Sequence, residues 1–101
     1  MRGICIALLL VLAGCSAMLP LLTDEDVRRA ETRWSTATMS TLESGRQKYI
    51  DRCGGCHSLH LPSEFTDVQW RKAVEDMQAR ARVSQEEKEL ILQYLAMARS
   101  K

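Results

Sequence analysis

Cys53-Gly54-Gly55-Cys56-His57 sets two thiols three positions apart with an imidazole directly behind them. Two thiols at this spacing reach the two vinyl groups of one porphyrin, and the histidine that follows turns its ring onto the iron. Other chemistries compete for the pattern. A thioredoxin-type redox pair would sit beside a βαβ pattern, and residues 15–101 contain no strand-like alternating run. A zinc site needs a second pair of ligands at suitable spacing, which His57 and His60 do not supply. Disulfides are the ordinary fate of cysteines in an oxidising compartment, but each of the four cysteines here has another expected use. The motif therefore predicts one covalently held haem c, attached at Cys53 and Cys56, with His57 on the iron.

That reading requires export, and the N-terminus has its pattern. Met1-Arg2-Gly3 puts one positive charge ahead of an apolar run from Ile4 to Ala13, the length and polarity of a secretory h-region. The run ends in Leu12-Ala13-Gly14-Cys15, which resembles the lipobox of bacterial lipoproteins. The resemblance implies a diacylglycerol on the Cys15 thiol and cleavage just before it. Cys5 would leave with residues 1–14, and 87 of the 101 residues would remain. The alternative is an uncleaved transmembrane helix, since apolar residues dominate from Ile4 to Leu22, close to the roughly 20 a bilayer needs. Gly14, Ser16 and Pro20 interrupt that stretch where a cleavage site needs small residues and extended backbone. By resemblance to lipoprotein sorting, Ser16 lacks the acidic residue that retains such proteins at the inner membrane. An outer-membrane anchor facing the periplasm of a two-membrane bacterium is expected. Without Arg2 the chain carries 13 basic and 13 acidic residues, which gives no reason to expect a nucleic-acid partner.

A haem pocket needs walls, and the sequence predicts helices for them. Capping-box patterns open three segments: Ser40 with Glu43, running to about Cys53; Thr66 with Gln69; and Ser84 with Glu87. The first carries Leu42, Tyr49 and Ile50 inward, and the second places Trp70, Val74, Met77 and Ala81 at helical spacing. The third shows Leu90, Ile91, Tyr94, Leu95 and Ala98 on one stripe, with acids grouped near its start where the helix dipole favours them. Asp24 to Trp34, after Thr23, is a weaker candidate for a short helix. Ser35 to Thr41 reads as a connection and Ser16 to about Thr23 as a tether. The expected fold class is all-α, divided into a removed leader (1–14), a lipid-anchored tether with a possible short helix (15–39) and a haem domain (40–101). So few residues form a marginal core, so a covalently bound porphyrin would complete it.

From about Leu42 to Leu95 the chain resembles class I c-type cytochromes. In that family a first helix with Gly-x-x-x-aromatic precedes the haem motif and crosses a last helix bearing aromatic and aliphatic residues. Gly45-x-x-x-Tyr49 fits the first half, and Leu90, Tyr94 and Leu95 the second. A residue without a side chain allows close helix approach while the aromatic packs over the contact; the competing reading is a helix glycine merely tolerated at about 1 kcal/mol. The resemblance implies that Met77, placed ahead of Val83-Ser84-Gln85-Glu86-Glu87, is the second axial ligand; an ordinary core methionine on the Trp70 stripe is the alternative. It also implies that the carbonyl of Pro62 orients the His57 ring. Trp70 is expected to pack on the porphyrin or between helices. His60, three residues after His57, reads as a surface or outer-shell group, with distal ligation as its other possibility. Met39 and Met97 lie outside the matched region and near the chain end. Only 20 residues separate His57 from Met77, fewer than in most of the family, so more haem edge is expected to be exposed.

With both axial positions filled, the expected function is electron transfer to and from redox protein partners in the periplasm or membrane, not enzymatic turnover. The competing functions are a haem enzyme or gas sensor with an open distal site, and a relay subunit of a larger respiratory or dehydrogenase complex.

Overall fold

The computed structural model describes residues 19–54 and 59–101. Among them the regular structure is helical: α1 (Asp24–Glu31), α2 (Met39–Cys53), a 3-10 turn (Pro62–Glu64), α3 (Asp67–Met77) and α4 (Gln85–Ala98). The all-α expectation holds. No helix among the described residues is long and apolar enough to cross a membrane. Residues 1–18, with the leader and Cys15, and residues 55–58, with Cys56 and His57, lie outside the described residues.

The helix starts follow local chemistry. Thr66 with Gln69 caps α3 and Ser84 with Glu87 caps α4, each pair exchanging side-chain and backbone hydrogen bonds as the sequence predicts. For α2 the expected Ser40/Glu43 box gives way to one two residues earlier. The Thr38 N–H donates to Thr41 Oγ1 at 2.9 Å, and the Thr41 N–H donates to Thr38 Oγ1 at 3.1 Å. α3 ends at Met77, before Ala81. The chain closes with Arg82 in the left-handed region (φ 54°), with Val83 N–H donating to Gln78 C=O at 2.9 Å and Arg82 N–H to Ala79 C=O at 3.3 Å. That is a Schellman stop made without glycine.

α2 and α4 form the most extensive helix pair. They run antiparallel, since Arg52 meets Glu87 at one end, Gly45 meets Leu90 in the middle, and Leu42 clusters with Met97 at the other. A Cβ on Gly45 would lie 2.0 Å from the Leu90 carbonyl oxygen and 3.1 Å from Tyr94 Cβ, so the backbones touch where other residues would hold them apart. Around this crossing Tyr49, Trp70, Val74, Val83, Ile91, Tyr94, Leu95 and Ala98 bury the main core.

The segment expected to be a tether is docked from Leu19 onward. Leu19 is 3% exposed within the main core. α1 covers a second cluster of Ala30, Ala37, Leu42 and Met97, so residues 19–39 are part of the fold. Asp26 fastens α1. Its carboxylate accepts from Arg29 at 2.6 Å, Lys101 at 2.7 Å and the Thr23 N–H at 2.8 Å. Burial opposes its charge, but these bonds outweigh that and hold its pKa well below the usual carboxylate range. A depressed folded pKa stabilises above the unfolded pKa and loses that stability as pH falls through the acidic range. Asp26→Asn is accordingly expected to cost about 2 kcal/mol at neutral pH. The gap to the unsubstituted protein should narrow as the pH drops below about 4, as urea titrations at neutral and acid pH would record.

Candidate functional site

The C-terminus of α2, the segment after residue 58 and the inner face of α3 enclose a cavity of about 250 Å³, open to solvent. Cys53, the last residue of α2 and half-buried, lines one side. Trp70, Val74 and Met77 line another from successive turns of α3, with Arg80 and Ala81 contributed by the Schellman turn. The helical stripe read from Trp70 to Met77 therefore faces the cavity at the turns that matter.

Aromatic packing sets the floor. Trp70 meets Tyr49 edge to face, with ring centres 5.7 Å apart, and Phe65 likewise at 4.9 Å. The strand of chain behind the thiol motif is fixed by two buried donors. Tyr49 Oη donates to the His60 carbonyl at 2.7 Å, and Trp70 Nε1 donates to the Pro62 carbonyl at 2.8 Å. Burial pushes the Tyr49 phenol well above its ordinary range, so it remains a donor. Pro62 is buried, and its carbonyl is engaged by Trp70; the orienting role toward His57 concerns a residue outside the described set. Trp70 packs in the core between helices, one of the two roles expected for it, and also lines the cavity.

His60 is exposed and turns Nδ1 to Glu64 Oε1 at 3.1 Å; the Leu61 N–H, with His60, keeps the Glu64 carboxyl below its ordinary range. Among the described methionines Met77 lines the cavity, whereas Met97 is buried in the α1 cluster and Met39 starts α2. Arg52 and Arg80 are also among the lining residues of this largely apolar cavity. Arg52 also pairs with Glu87 at 3.0 Å. Sequence reasoning did not single out Phe65 or Arg80. Both lie outside regular helix, where periodicity gives no signal, though Arg80 falls one turn after Met77.

A largely apolar cavity lined by Cys53 and Met77, with two arginines among its residues, is of a chemical kind that would suit an apolar macrocycle. Among the described residues no group of three or more His, Cys, Asp or Glu side chains could hold a bare metal ion. No family model, curated protein or solved structure matches the chain.

Proposed function

We propose that this chain is a monohaem c-type cytochrome of the class I kind that transfers electrons while anchored to the periplasmic face of a bacterial membrane, the outer one favoured, through a lipid on Cys15. The observation that carries the reading is the apolar cavity lined by Cys53 and Met77, at the end of the helix whose Gly45 lies against α4. Cys53 and Cys56 would hold the group covalently, and His57 and Met77 would ligate its iron. Haem, when bound, supplies a one-electron iron couple. Trp70, Phe65 and Val74 give the cavity apolar walls, and Tyr49 and Trp70 hold the chain behind the motif in place through their bonds to His60 and Pro62. With His57 and Met77 both bound to the iron, no position would be left for a substrate, so the chain is read as a carrier that passes electrons to a redox protein and not as an enzyme.

Coordination distinguishes a carrier from an open-site enzyme or gas sensor. The purified ferrous protein is expected to be low-spin and slow to take up carbon monoxide, and the ferric protein to show the weak near-infrared sulfur-to-iron band. Immediate carbon monoxide binding by unsubstituted protein would contradict the carrier reading. Co-purification from membranes in fixed ratio with a larger redox complex would identify a relay subunit instead.

A further inference from the structure

We infer that the domain is held close to the lipid surface by a strap of residues 19–22, with Leu21 in the bilayer interface; this rests on the reading of Cys15 as the acylated residue. The strap is fixed to the protein at every step. Leu19 is buried in the main core, and its carbonyl accepts from the Arg46 guanidinium at 3.1 Å. The next carbonyl, of Pro20, accepts from the buried Tyr94 hydroxyl at 2.7 Å. Leu22 packs against both core clusters, and Thr23 caps α1. Leu21 points away and is 71% exposed.

Chain length does the rest. Cys15 precedes Leu19 by four residues, and four residues span at most about 14 Å even when fully extended. An acyl anchor at Cys15 therefore cannot let the domain float free; it brings the surface around Leu21 within reach of the headgroups. A lone exposed leucine is ordinary on a protein surface. One held this close to a lipid anchor has an apolar phase beside it, and its transfer there is favourable.

The test uses full-length Leu21→Cys protein matured in cells that export, acylate and attach haem, labelled at residue 21 with an environment-sensitive dye. It is reconstituted in vesicles of phosphatidylethanolamine and phosphatidylglycerol. The proposal predicts that the protein floats with the vesicles and that the dye emission moves to the blue. The shift should be lost when a Gly/Ser spacer of about ten residues is inserted between Ser16 and Leu19, although that variant still floats. Floating protein whose dye emits as it does in the non-acylated Cys15→Ser form would overturn the strap while leaving the anchor intact. An undiminished shift in the spacer variant would overturn the argument from length. Protein that does not float would remove the anchor, and the strap's role with it.

Discussion

Replacing Gly45 by alanine is expected to destabilise the protein by about 2 to 3 kcal/mol, although alanine is the better helix former by about 1 kcal/mol. The two readings of Gly45 predict opposite signs. A glycine merely tolerated in α2 would give a more stable protein on substitution. In the structure the new Cβ would fall 2.0 Å from the Leu90 carbonyl oxygen and 2.8 Å from its carbon. Both are backbone atoms of α4, so no rotamer change relieves the clash and the helices must separate. Separation loosens the main core, to which α2 contributes Tyr49 and α4 contributes Ile91 and Tyr94. Gly45→Val should be worse again. Urea unfolding of the haem-loaded protein checks the sign directly, and a stabilised Gly45→Ala variant would show that α2 and α4 do not cross as described.

The second large effect concerns Met77. Met77→Ala should abolish the near-infrared sulfur-to-iron band, admit carbon monoxide or imidazole readily, and lower the reduction potential, because a thioether favours ferrous iron. Val74→Ala provides the control. Val74 is 7% exposed, lies one turn before Met77 and lines the same cavity. Its truncation should cost stability of the order of 1 to 2 kcal/mol while leaving the axial spectrum unchanged. If Met77 is only a wall residue, the two variants will behave alike. A band that survives in Met77→Ala would assign the ligand elsewhere, and a bis-imidazole spectrum in unsubstituted protein would turn attention to His60.

Much of the fold was legible because caps are local. Thr66/Gln69 and Ser84/Glu87 form within four residues and need no tertiary partner. The start of α2 was misplaced because Thr41 at the third helical position does the work of the Glu or Gln in the usual box, a substitution the pattern does not contain. The end of α3 gave no signal either. Its left-handed residue is Arg82, where a glycine would have announced the stop. The strap was hidden by composition. Leu19, Leu21 and Leu22 extend the apolar leader, and only the three-dimensional need of the buried Tyr94 hydroxyl for an acceptor distinguishes them from it. The cavity was half legible: Cys53, Trp70 and Met77 sit on helical register, whereas Phe65 and Arg80 reach it from turns.

Covalent attachment through the two thiols is the centre of the account, and mass spectrometry of the full chain matured with a working haem-attachment system tests it most directly. Trypsin should release a peptide from Cys53 to Arg71. The account predicts that this peptide carries one haem, that acid-acetone does not extract it, and that the thiols of Cys53 and Cys56 resist alkylation. The same peptide recovered without haem and alkylated at both cysteines would contradict the account.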